Sequence, residues 1–206
     1  MAATVSSLSA DIIGVEEADS HVIRSLFRNQ MKMLGRHTGL QWNYAAARSH
    51  FAVTGSDGIG LLTRGQILDH DTVELQPHAT GHQRRVALFA KVELPSGERV
   101  SVAVTHLDTQ PEVAVEQLRS LLATFSSNPR WSGPQILLGD LNLKTSTVEQ
   151  VTRTAGYDLA GGVYSAPTRE PAHRIDHIAT RHLRINAVNV PVVRVSDHRP
   201  VIAELE

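Results

Sequence analysis

The stretch Ile136-Leu137-Leu138-Gly139-Asp140-Leu141-Asn142 decides the reading of this chain, because an apolar run of strand length delivers an Asp and an Asn at its polar end. Residues i and i+2 of a strand project to the same face, so Asp140 and Asn142 are expected to look into one site together. Such a pair suits a metal ion or a phosphate. The bland alternative is a strand followed by a turn or helix cap, since Asp and Asn are favoured there.

The pattern recurs along the chain. Val192-Val193-Arg194-Val195 runs into Ser196-Asp197-His198-Arg199-Pro200 and then into Val201-Ile202-Ala203. Asp11-Ile12-Ile13-Gly14-Val15 ends in Glu16-Glu17, and Val100-Ser101-Val102-Ala103-Val104 ends in Thr105-His106-Leu107-Asp108. Asp176 sits within Arg174-Ile175-Asp176-His177-Ile178, an apolar setting in which a carboxylate is costly without a partner. The adjacent carboxylate and imidazole of Asp197 and His198 suit metal binding and proton transfer. Any one motif has an ordinary explanation as a loop or a satisfied ion pair. Their joint recurrence at the polar ends of apolar runs points to a single site.

Taken in order, DIIGVEEAD, DGIGLLTR, RRVALFAKV, VAVTHLD, LLGDLN, YSAPT with RIDHI, and SDHRPV resemble the endonuclease/exonuclease/phosphatase superfamily from about residue 10 to the end. The resemblance implies an α/β fold, a four-layer sandwich of two packed mixed β-sheets flanked by helices, over one domain spanning residues 1–206. It also implies a divalent-metal-dependent hydrolase of phosphate esters, a phosphodiesterase or phosphatase using in-line water attack. A nuclease of the same superfamily, or a catalytically weak member that binds a phosphorylated ligand or a protein, is the alternative.

Position by position, Glu17 matches the carboxylate that ligates the metal, with Glu16 where the family usually has Gln, and Asp197 matches a second metal-associated carboxylate. His198 matches the catalytic histidine, Asp176 the carboxylate that orients it, and His106 a residue that contacts the phosphate or assists the leaving group. Asp140 and Asn142 match the pair that positions the nucleophile and a phosphoryl oxygen. Oxygen donors without cysteine favour Mg²⁺ or Mn²⁺ as the cofactor. The family also normally opens with a strand ending in an Asn metal ligand, and this chain begins inside the helix that follows. The expectation is a weakened metal shell and a gap in one sheet, closed either by neighbouring strands or by a second copy in a homodimer.

Arg84 and Arg85 beside His82 read as a solvated pair or, since guanidinium binds phosphate in a bidentate fork, as a clamp in which Arg85 binds substrate. His37, His50, His70 and His78 lack ligand-like spacing and read as surface residues.

Composition narrows the partners. The 206 residues carry a formal charge of −1 and only 4% aromatics, which suits neither the positive field nor the base-stacking platform of a general nucleic-acid binder. A phosphate-ester substrate is favoured and nucleic acid is not. Without cysteine there is no disulfide or thiolate chemistry. No leader-like start and no membrane-spanning apolar run is present, so the reading is cytoplasmic, although a mature secreted domain has the same appearance.

Helix and strand patterns alternate without repeats. Residues 1–9 read as the end of a helix and 11–15 as a strand. Asp19 or Ser20 is expected to cap a helix whose core stripe includes Val22, Ile23, Leu26, Phe27 and Leu34. Strands are expected near 41–46, 51–54, 59–63, 86–94, 99–105, 175–179, 185–190 and 201–205, with turns at Ser56-Asp57-Gly58 and Pro95-Ser96-Gly97. Helices are expected over 112–125 and after Asn142.

Overall fold

A computed structural model describes residues 1–49, 55–76, 83–162 and 164–206. The expected strand at 51–54, and His50, His78 and His82, lie outside those residues. Four layers are stacked. A six-stranded sheet, in the order β4-β5-β6-β7-β9-β8, comprises β4 (Gln66–Glu74), β5 (Val86–Glu93), β6 (Arg99–His106), β7 (Gln135–Asp140), β9 (Asp176–Arg181) and the short β8 (Asp158–Leu159). Only β6 and β7 run parallel, so this sheet is mixed. Facing it is a second layer in two pieces, both antiparallel: β1 (Ile12–Ser20), β3 (Ser56–Thr63) and β2 (Gln41–Ser49) in the order β1-β3-β2, and the ribbon of β10 (Ile185–Asn189) with β11 (Ile202–Leu205). Among the described residues β1 and β11 each have a single strand partner, so neighbouring strands have not closed up into one sheet.

The central strands are apolar on both faces because both are covered. From β5 and β6, Phe89 and Ala103 point to helices α3 (Pro111–Ser127) and α4 (Thr145–Thr154), while Leu88, Val102 and Val104 point to the opposite sheet. This two-residue alternation sorts one continuous hydrophobic run between two cores. On α3, Ala114, Leu118, Leu121, Leu122 and Phe125 repeat at helical spacing and are buried, and Phe89 stacks on Phe125 with 4.9 Å between ring centroids. The outer face of the three-stranded sheet is closed by α1 (Ala2–Ser7) and α2 (Gln30–Thr38) through Val5, Met31 and Leu34. No described helix is long and apolar enough to cross a membrane.

Several local expectations are corrected. The helix expected from Asp19 or Ser20 starts ten residues later at Gln30, capped by the Asn29 side chain, which accepts from the Lys32 amide at 2.7 Å. Asp19 is not available as a cap: its carboxylate takes a two-nitrogen fork from Arg24 at 2.7–3.0 Å, and β1 continues through Ser20. The expected core stripe is therefore broken, with Val22 and Leu34 buried but Ile23, Leu26 and Phe27 61%, 73% and 54% exposed. Ser56-Asp57-Gly58 is not a turn but the start of β3, where Asp57 pairs with Arg48 at 2.9 Å. β4 had no counterpart among the expected strands because it is an edge strand with a polar, mostly exposed sequence. Its Asp69 and Asp71 are gripped by Arg130 at 2.6–2.9 Å, and that guanidinium lies 4.7 Å over the Trp131 ring. Of the histidines, His37 and His70 are exposed, whereas His177 is buried under Leu143 and its imidazole is pushed down to about 4 by burial.

Gly139 fixes the approach of β7 to β6. A Cβ there would lie 2.0 Å from the Thr105 carbonyl oxygen, and its φ of +155° is one that side chains rarely adopt. Gly139→Ala should therefore cost at least about 2 kcal/mol in urea unfolding. Gly97→Ala, where φ is +89° but no atom lies within 4 Å, should cost about 1 kcal/mol. Equal costs would show that the contact with Thr105 is easily relieved.

Candidate active site

Strand register assembles the site. His106, the last residue of β6, pairs with Asp140, the last of β7, and Asp140 pairs with Asp176, the first of β9. The three side chains thus form one row across the end of the six-stranded sheet. His106 Nε2 lies 3.7 Å from Asp140 Oδ2. His198, on the loop entering β11, completes the group through its Nδ1, 3.0 Å from Asp176 Oδ1 and 4.0 Å from Asp140 Oδ2. One ligand atom from each of Asp140, Asp176 and His198 lies within 4.8 Å of the others, the spacing of a group able to hold a metal ion.

Asp140 and Asn142 are linked differently from a strand pair. The strand stops at Asp140, and Asn142 adopts a left-handed φ of +50° that aims its backbone N–H at Asp140 Oδ1, 2.9 Å away. The Asn142 side-chain amide donates to the Leu107 carbonyl at 2.9 Å, tying the ends of β6 and β7 together. Asp176 has both oxygens engaged, one by His198 and the other by the Ser165 hydroxyl.

Ser165 was missed as a site residue, although it lies in the YSAPT stretch. Thr168 from the same stretch donates its N–H to the Asp197 carbonyl at 2.6 Å and its hydroxyl to the Ser196 carbonyl at 2.7 Å. Arg199 answers by donating to the carbonyls of Ser165 and Thr168 at 2.8 and 2.9 Å. These backbone stitches fix the loop carrying His198.

The two adjacent glutamates diverge. A bulge between Val15 and Ala18 adds a residue to β1, and Glu17 takes a φ of +52°. Its side chain is 69% exposed and meets Nδ1 of His106 at 4.0 Å, on the opposite ring edge from Asp140. Glu16 feels Asp176, Asp140 and His198, and burial followed by the first two carboxylates pushes it up to about 8. Asp197 is exposed and accepts from the Ser196 hydroxyl at 3.0 Å, so neither Glu17 nor Asp197 belongs to the three-residue group.

Charge states follow from the same packing. Burial pushes Asp140 up to about 6, against the opposing Asn142 N–H, with Asp176 raising it further. The hydrogen bond to Asp176 pushes His198 up to about 9. Burial, then the charges of Arg85 and His198, push His106 down to about 4. At neutral pH Asp140 is ionised, with neutral His106 beside it in the row and protonated His198 reaching it from the loop. Arg85, beside His106, Glu17 and Asp57 in a small pocket, is lowered by burial, and its Nε is enclosed without a hydrogen-bond partner. Arg84 instead pairs with Glu74 at 2.6 Å on the surface.

Comparison with solved structures places this arrangement on a known fold. An endonuclease/exonuclease/phosphatase from Beutenbergia cavernae superposes with a TM-score of 0.79 at 20% identity over 99% of this chain, which spans 64% of that protein. A mannosyl-6-phosphatase from Bacteroides thetaiotaomicron gives 0.80 at 16% identity, covering all of this chain and 88% of its own. ANGEL2, a 2′,3′-cyclic phosphatase, gives 0.75 at 14% identity, covering 99% and 83%. No curated protein sequence matches. The model of the Endonuclease/Exonuclease/phosphatase family matches residues 1–198, and the chain belongs to that family.

Proposed function

We propose that this chain is a divalent-metal-dependent hydrolase of phosphate esters, a phosphodiesterase or phosphatase that directs water in line at phosphorus. The observation that carries the reading is the pairing of Asp140 opposite Asp176 at adjoining strand ends, with His198 bonded to one and near the other. Like charges directly opposite in a sheet are destabilising, and a hard cation relieves them. The donor set, carboxylate oxygens with no cysteine, fits Mg²⁺ or Mn²⁺. Two fold relatives, a mannosyl-6-phosphatase and a 2′,3′-cyclic phosphatase, support small phosphate esters over long nucleic acid, as does the charge of −1.

Asp140 and Glu16 would hold the ion. Asp176, with both oxygens engaged, is a positioning group. The sequence resemblance implies Glu17 and Asp197 as metal-associated carboxylates, but the bulge turns Glu17 toward His106, and we assign the carboxylate role to Glu16 instead. A bound divalent ion supplies charge neutralisation at the phosphoryl oxygens and a more acidic water. Protonated His198, steadied by Asp176, donates to a phosphoryl oxygen. Ionised Asp140, held by the Asn142 N–H, accepts the water's proton. Neutral His106 orients the leaving-group side, and Arg85 offers its enclosed guanidinium edge to a phosphate oxygen.

Hydrolysis of an aryl phosphodiester or aryl phosphate should require Mg²⁺ or Mn²⁺ and stop with chelator. His198→Ala should lower turnover about 10²- to 10⁴-fold and Asp176→Asn less. Chelator-resistant turnover in both assays would refute the proposal, and nicking of plasmid at comparable rates would favour the nuclease alternative. The ligand assignment has its own readout: in calorimetric titration with Mn²⁺, Glu16→Gln should weaken binding by about tenfold or more, through the loss of one carboxylate that would touch the ion. Glu17→Gln should change it little, and the reverse order restores the family's assignment.

The pH dependence has a defined sign. kcat/KM should rise as Asp140 loses its proton near 6 and fall as His198 loses its own near 9, both limbs lying lower with the cation bound. Because the hydrogen bond to Asp176 raises His198, Asp176→Asn should move the alkaline limb toward 6.5, the ordinary histidine value. An alkaline limb unmoved in that variant would remove His198 as the proton donor.

A further inference from the structure

Nine large apolar side chains are strongly exposed among the described residues, and six of them occupy three loops at one end of the molecule: Ile23, Leu26, Phe27, Tyr164, Val192 and Val195. The first loop follows the last residue of β1, the second precedes β9, and the third precedes β11. These are the strand ends that carry Glu17, Asp176 and His198, so all three loops border the candidate site. The remaining three, Met1, Trp42 and Leu68, lie at the N-terminus and near the starts of β2 and β4, toward the opposite end of the sheets.

The first loop is built to hold its apolar residues out. Leu26 and Phe27 both have left-handed φ values, +51° and +58°, a conformation bulky residues avoid unless the surroundings impose it. Here the surroundings do. The N–H groups of Leu26, Phe27 and Arg28 donate to the carbonyls of Ile23, Val22 and Ser25 at 2.8–3.0 Å, and His21 N–H closes the loop onto the Arg28 carbonyl at 3.1 Å. The Ser25 hydroxyl lies between the carbonyls of Val22 and Arg28, and the Arg24 fork locks onto buried Asp19. Val22 anchors the loop in the core at 7% exposure. The knuckle is therefore a rigid turn with two apolar side chains at its tip.

Exposed charges accompany these residues: Arg28 adjoins the knuckle, Lys144 lies two residues after Asn142, and Arg169 and Arg194 lie on the other two loops, against the exposed acids Glu17, Glu170 and Asp197. Separate apolar tips interspersed with basic residues match a bilayer interface, which accepts scattered insertions and presents anionic headgroups. A protein partner would call for one contiguous apolar patch, and a nucleic acid for a larger positive field than a chain of charge −1 provides. We propose that this rim docks on a phospholipid surface and brings headgroup phosphates to the site. The inference rests on the phosphoesterase reading for its substrate but not for the docking itself.

Sedimentation of the protein with phosphatidylcholine vesicles containing about a quarter phosphatidylserine tests the docking, with pure phosphatidylcholine as the second arm. The wild type should pellet with the mixed vesicles and less with the neutral ones. Leu26→Asn with Phe27→Asn suits the left-handed turn, since Asn tolerates that conformation, and should keep the fold. The double variant should lower vesicle partition about tenfold while leaving turnover of a water-soluble aryl phosphodiester within about twofold. Val192→Ser gives a second, independent lesion with the same expectation. The proposal is overturned if the wild type ignores both vesicle types, if the variants partition equally well, or if the variants instead abolish a self-association seen by analytical ultracentrifugation. Vesicle binding without any turnover of soluble ester would sink the phosphoesterase reading and leave the docking surface standing.

Discussion

Two carboxylates forced opposite one another govern this site. The pairing of β7 with β9 leaves Asp140 and Asp176 no freedom to move apart, because each belongs to a backbone ladder. The molecule disperses the repulsion by giving each a different environment. Asp176 is engaged by the His198 imidazole and the Ser165 hydroxyl, while Asp140 has one backbone N–H and a desolvated setting. That asymmetry gives one group two hydrogen-bond partners, one of them an imidazole pushed up by the contact, and leaves the other desolvated and pushed up itself. The left-handed turn at Asn142, the loop stitches around Thr168 and the close approach at Gly139 all serve to keep this pair in register.

The six-stranded sheet and its helices were largely legible in the sequence. Runs such as Val86-Ala87-Leu88-Phe89-Ala90 are covered on both faces and therefore apolar throughout, and the spacing of Leu118, Leu121, Leu122 and Phe125 marks α3. The residues of the His106, Asp140 and Asp176 row were legible for the same reason, since a polar residue ending a buried strand is conspicuous. Their alignment was not, because register depends on long-range pairing that no local pattern encodes.

The failures cluster where tertiary contacts override local preference. Residues 19–30 have helical apolar spacing, yet Arg24 captures Asp19 and the segment folds into the knuckle instead. At Glu16 and Glu17, a single bulge sets Glu17 beside His106 and leaves Glu16 feeling the charges of Asp176 and Asp140, and identical neighbours carry no information about that division. β4 was hidden because an edge strand with a solvated face and charged residues lacks the apolar signature on which strand reading relies.

The grip of Arg130 on β4 has a consequence for how the protein behaves in a crowded solution. An outermost strand offers a ready template for another chain's backbone. Here that margin bears Asp69, His70 and Asp71, and Arg130 forks across the two aspartates while resting on Trp131. A foreign strand approaching from this side meets fixed charges whose hydration and pairing it would have to strip away. The molecule is thereby guarded against edge-to-edge aggregation on the flank of its largest sheet, by residues that lie outside the row of His106, Asp140 and Asp176.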